Sequence, residues 1–207
     1  MDKKHKKPSG KLTILSVNFE GADSSVEKLE AEFSKVKDQN EIAIIDLFIN
    51  SISKNQNVSF NCDSYSQNNE QDLDFTINHN NEKSLLELTE LVPNGMGKDG
   101  GYAKPPNWID MNELTDRLIA IIYKKSKKYT GLNMPVDLLV YITDNNADLS
   151  MGAEKYMKIY LNQNEHIFRK IYFMISHPIG GIIMELFPTN EKGIIEHGKL
   201  GGCIIIK

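Results

Sequence analysis

The stretch that decides the fold is Asp72-Leu-Asp-Phe-Thr-Ile-Asn-His-Asn-Asn-Glu-Lys-Ser-Leu-Leu-Glu-Leu-Thr-Glu-Leu91. Its centre is rich in Asn, a residue that tolerates the left-handed backbone conformations of tight turns. A two-residue loop at Asn80-Asn81 makes residues whose numbers sum to 161 cross-strand partners, and sets Asp74 opposite Glu87. Directly opposed side chains lie roughly 5 Å apart at Cβ, where like charges repel. Glu87 also interrupts the apolar run Leu85-Leu86-Glu87-Leu88. A carboxylate in such a strand is costly unless its charge is compensated. A divalent cation answers both problems, since Mg²⁺ is commonly held by one or two carboxylates and keeps several waters.

Working outward, Leu73 to Ile77 alternates in the manner of a half-buried strand, and Leu85 to Val92 reads as a more apolar, central one. Val58 to Cys62 reads as the first strand of the sheet, and Leu12 to Phe19 as a short strand nearer the start. Ser24 or Ser25 caps a helix whose spacing runs through Leu29, Phe33, Ile45, Phe48 and Ile52, with a break near Asp38-Gln-Asn40. Pro93 to Asn107 is a Gly- and Pro-rich loop carrying Lys98, Tyr102 and Lys104, of a length more often functional than merely connecting. A helix follows from Asn107 or Asp110 to about Tyr129, closed by Gly131. Val136 to Thr143 is a strand, Ala153 to Arg169 a helix, and Ile171 to Ser176 and Ile182 to Phe187 two further strands. A short apolar run, Cys203-Ile-Ile-Ile206, lies near the end. The expected fold class is α/β, a mixed central sheet flanked by helices. Residues 1–10 are expected to be a disordered basic tail, and residues 11–207 a single domain.

The chain has 207 residues, 40% of them hydrophobic, which is ample for one core. A net charge of −4 and a pI near 5.8 supply no global basic field for nucleic acid, so any such binding must rest on a local patch. Two distant cysteines, Cys62 and Cys203, make neither a disulfide framework nor a metal-ligand spacing. The basic, polar start lacks the apolar core of a secretory signal, and no apolar run is long enough to span a bilayer. A cytoplasmic protein without membrane association is expected, and a homodimer is allowed. No P-loop, dinucleotide fingerprint, zinc set or histidine triad is present.

The motif Leu73-Asp74-Phe75 followed by Glu87-Leu88-Thr89, on two adjacent strands, resembles the PD-(D/E)xK nuclease superfamily, the restriction-endonuclease-like fold. Its members share a helix, a three-stranded meander carrying Asp and then Glu-x-Lys, a helix and a further strand. The resemblance spans roughly residues 24–176, with Leu in place of the motif Pro and Thr89 in place of the motif Lys. It implies Mg²⁺- or Mn²⁺-dependent hydrolysis of phosphodiester bonds, with DNA the first substrate to test. Asp74 and Glu87 would hold the metal, and Glu41 is a candidate third carboxylate. Thr89 cannot supply the positive charge of the motif Lys. Substitutes are Lys83, Lys98, Lys104 or the cluster Lys124, Lys125, Lys127 and Lys128, which together with Lys98 and Lys104 are also the candidate phosphate contacts.

Blander readings stand beside these. Asp74 is then a strand-end charge, Glu87 a residue paired with a lysine, Glu90 a salt-bridge partner on the other face, and the lysine cluster a solvated helix end. At the level of function, the alternative is a nuclease-fold protein that has lost catalysis and binds nucleic acid or another protein.

Overall fold

A computed structural model of the chain describes residues 11–20, 23–32, 34, 36–53, 58–68, 73–92, 111–143, 149–177, 180–193, 195–197 and 204–206. Residues 1–10 and the candidate residues Lys98, Tyr102 and Lys104 lie outside them. The main sheet has six strands in sequential order: β3 (Ser64–Gln67), β4 (Phe75–His79), β5 (Glu82–Glu90), β6 (Val136–Ile142), β7 (Lys170–His177) and β8 (Gly180–Phe187). β3, β4 and β5 form an antiparallel meander. β5, β6 and β7 run parallel, and β8 returns antiparallel. Parallel neighbours need long crossovers. These are supplied by α2 (Met111–Lys128) before β6 and α3 (Met151–Gln163) before β7.

The layering follows from alternation along the strands. Leu86, Leu88, Leu139 and Tyr172 face α1 (Lys37–Ile52), which buries Ile44, Ile45 and Phe48 against them. Leu138, Val140, Ile171 and Phe173 face the other way, onto Leu114, Leu118 and Ile122 of α2 and Met157 and Leu161 of α3. All seven residues of β6 are buried, because both of its faces are covered and both of its edges are paired. Each fully buried Leu or Ile contributes about 1.5–3 kcal/mol, so the two interfaces supply most of the driving force. The α/β fold with helices on both sheet faces is the one expected.

Three expected elements differ. The helix begins at Lys37, not at Ser24, because residues 23–32 form a strand, β2 (Asp23–Glu32), paired with β1 (Lys11–Glu20). The register sets Leu12 opposite Ala31, Ile14 opposite Leu29 and Val17 opposite Val26. Pairing with a neighbouring strand has overridden the helical propensity of Glu, Lys, Leu and Ala. Residues 58–62 are irregular, and the first sheet strand is Ser64–Gln67. The reason lies in the rings. Phe60 packs edge-on against Phe48 and Tyr172, at 4.9 and 5.7 Å between centroids. The Ser59 carbonyl meanwhile accepts the Tyr172 hydroxyl at 2.8 Å, so it serves side chains and not a ladder. Finally, α3 ends at Gln163, and residues 164–169 lead irregularly into β7. A separate two-stranded antiparallel sheet pairs β9 (Ile195–His197) with β10 (Ile204–Ile206), the latter holding the three isoleucines of the expected apolar run. No helix among the described residues is long and apolar enough to cross a membrane.

Candidate functional site

Asn80 and Asn81 both have positive φ, 49° and 66°. That is the two-residue turn whose twist suits a hairpin. Asp63 fastens it by accepting the Asn80 N–H at 2.8 Å. Every pair from His79–Glu82 to Phe75–Leu86 keeps the sum of 161. One step further along this register Asp74 meets Glu87, just where β4 has not yet begun. The Asp74 carboxylate itself accepts the Leu88 N–H at 2.7 Å, so a side-chain oxygen takes a donor that continued pairing would hand to a backbone carbonyl.

Glu87 is 3% exposed and shares the sheet face of Leu138, toward α2. Two side chains of the helix end meet it. Lys125 forms an ion pair with Oε1, and the Tyr129 hydroxyl donates to Oε2 at 2.7 Å. Residues four apart share a helix face, which is why both reach one carboxylate. Gly131, at φ 94°, turns the chain out of the helix directly afterwards. Lys128 donates to the Tyr129 hydroxyl at 2.6 Å and lies over its ring. Burial, with the bond to Glu87, raises the Tyr129 hydroxyl far above its ordinary range, so Tyr129 stays protonated and remains a donor.

Asp74 is the strained partner. Burial first, then the charge of Glu87, pushes its carboxyl up to about 7. Glu41 adds to the rise, while the Leu88 N–H and Lys37 oppose it. Lys37 lies 3.9 Å from Asp74 Oδ1 and 2.9 Å from Glu41 Oε1, and Glu41 Oε2 accepts from Gln67 at 2.9 Å. Lys37 thus serves Glu41 and Asp74, and Lys125 serves Glu87, with the Lys128 ammonium one hydrogen bond further out on Tyr129. Thr89 Oγ1 is buried without a hydrogen-bond partner. Glu90 accepts from the Thr143 hydroxyl at 2.8 Å.

The other sequence candidates fall elsewhere. Lys83 stands four residues before Glu87 on β5, about 13 Å along an extended strand. Lys124 and Lys127 are exposed on α2, so the lysine cluster divides between the site and the solvent. Sequence reasoning singled out neither Lys37 nor Tyr129. Their only sequence signal is a helix-terminal position, which does not specify a distant partner.

Among the described residues, no three His, Cys, Asp or Glu side chains converge as a group able to hold a metal. Glu41, turned to Lys37 and Gln67, does not complete a set with Asp74 and Glu87. The donors at hand are still hard carboxylate oxygens. That chemistry suits Mg²⁺ or Mn²⁺. The competitor for Glu87 is Lys125. No protein-family model, curated protein or solved structure matches the chain.

Proposed function

We propose that the chain is a divergent PD-(D/E)xK-like nuclease, restriction-endonuclease-like in fold, which hydrolyses phosphodiester bonds of nucleic acid, DNA first, with Mg²⁺ or Mn²⁺. The observation that carries this reading is the largely buried adjacency of two carboxylates, Asp74 and Glu87, in which burial and the charge of Glu87 push the Asp74 carboxyl up to about 7. The element order supports it, since a helix, an antiparallel three-stranded meander, a second helix and a parallel strand follow one another in α1, β3–β5, α2 and β6. Asp74 and Glu87 would hold the ion, which when bound lowers the pKa of a water and offsets charge on the phosphate. Lys125 is the substitute cation, reaching Glu87 from the helix, where the family's Lys would come from the strand position of Thr89. Tyr129 orients Glu87 by its hydrogen bond.

A second reading, a nuclease-fold protein without catalysis that binds nucleic acid or a protein, is favoured by one observation. Lys125 and Tyr129 already engage both oxygens of Glu87. Calorimetric titration with Mn²⁺ separates the two. Saturable binding to the wild type, lost in Asp74→Asn and in Glu87→Gln, supports the nuclease. Absence of binding to a folded wild type leaves the second reading.

A further inference from the structure

Both ring nitrogens of His166 are buried and have no hydrogen-bond partner among the described residues. A neutral imidazole carries one donor and one acceptor, and the imidazolium two donors, so either form leaves polar atoms unserved here. The ring is held by aromatic contact instead. Phe187, at the end of β8, meets it edge-on at 4.5 Å between centroids, and Phe168 lies tilted against it at 6.2 Å. Phe168 and Phe187 belong to the apolar packing of the sheet face under α2 and α3.

The charged groups of the surrounding elements are turned elsewhere. Glu185 of β8 accepts from the Ser59 N–H and faces Lys170. Arg169 is clamped on Asp137, and Lys158 pairs with Glu154 within α3. Lys125 and Lys128 of α2 serve Glu87 and Tyr129, and Tyr160 of α3 packs on Tyr123 and Tyr156. Lys124, Lys127, Lys155, Glu165, Glu191 and Lys192 are exposed to solvent. Burial holds the imidazole below its ordinary 6.5, and the Phe168 backbone alone opposes the fall.

The segment that carries the ring, residues 164–169, is neither helix nor strand. It is tied to its neighbours by single bonds. The Ile167 N–H donates to Ser126 Oγ at 3.1 Å, and the Arg169 N–H to the Val136 carbonyl at 2.8 Å. Ser126 is 7% exposed and follows Lys125 on α2. The segment therefore braces the helix end that brings Lys125 and Tyr129 to Glu87.

We propose that His166 is an acid-release latch. Neutral, its ring fills the slot between Phe168 and Phe187 and holds the α3–β7 connection against α2. Protonated, it leaves the slot for water, because a buried charge without an acceptor is costly, and the Ile167–Ser126 bond is the first tie to go. The sign follows from the burial. The closed state binds fewer protons than the released one, so its stability is present above pH 6.5 and is lost as pH falls below that value. Asp74 acts in the opposite sense, since its protonation favours the folded chain. The latch does not depend on the nuclease reading.

The test is amide hydrogen exchange of the full chain at pH 7.5 and pH 5.5, corrected for intrinsic rates and read by mass spectrometry. In the wild type, residues 164–169 are expected to lose protection at pH 5.5 several-fold more than β6 does. His166→Phe fills the slot without titrating and should remove that excess loss, and His166→Leu does so with a smaller side chain if the phenyl ring is not accommodated. Asp74 is present in all three proteins, so its effect cancels. Equal protection of residues 164–169 at the two pH values in the wild type overturns the proposal. So does an excess loss that persists in the folded variants.

Discussion

Asp74 ties ionisation to folding. Its carboxyl sits at about 7 in the folded chain against 3.8 as an ordinary aspartate, so between those values the folded state binds more protons than the unfolded one. Stability contributed by this group is therefore present at acid pH and lost as pH rises through the window. Asp74→Asn keeps an acceptor for the Leu88 N–H and removes the titration. Its melting temperature relative to wild type should be higher at about pH 8 than at about pH 4, by several degrees. An equal difference at both pH values would contradict the assignment. The neighbouring pair behaves differently. Lys125→Met strands a buried carboxylate and should cost about 3 kcal/mol in urea unfolding, most of it recovered by adding Glu87→Gln. Additive losses in the double variant would show that the two side chains do not interact. At this scale the sequence displayed the carboxylates, because their opposition follows from a local turn. It did not display their partners, because Lys125 is 38 residues from Glu87 and only the packing of α2 on the sheet joins them.

At the scale of elements, the Asn80–Asn81 turn sets the register on which the site depends. Both residues need positive φ, which glycine adopts freely and a β-branched residue resists. Asn81→Gly should leave urea stability within about 0.5 kcal/mol, while Asn81→Val should lower it by about 1–2 kcal/mol. Equal stabilities for the two would mean that the turn is not under this constraint. The turn was legible because its chemistry is contained in two adjacent residues. The β1–β2 hairpin was not, since Glu27, Lys28 and Glu30 favour a helix locally and only the opposite strand decides against it. Residues 58–62 misled for another reason. Phe60 is apolar because it fills a ring cluster, and its spacing from Val58 and Cys62 imitates a strand.

For the whole molecule, a net charge of −4 leaves nucleic-acid contact to local cations. On α2 the exposed pair Lys124 and Lys127 is the available one, since Lys125 serves Glu87 and Lys128 lies over Tyr129. If DNA docks on this face, replacing both by Ala should reduce the slope of log affinity against log salt by about 2. An unchanged slope would move the contact elsewhere. The general α/β architecture was readable from alternating strands and punctuating helices, whereas the proposed activity turns on whether one carboxylate pair accepts an ion in competition with a lysine. The direct measurement is cleavage of end-labelled single- and double-stranded DNA in Mn²⁺ by the wild type and Glu87→Gln side by side. The account predicts cleavage by the wild type that needs the ion and disappears in Glu87→Gln. Intact DNA with both proteins, or equal cleavage by both, would contradict it.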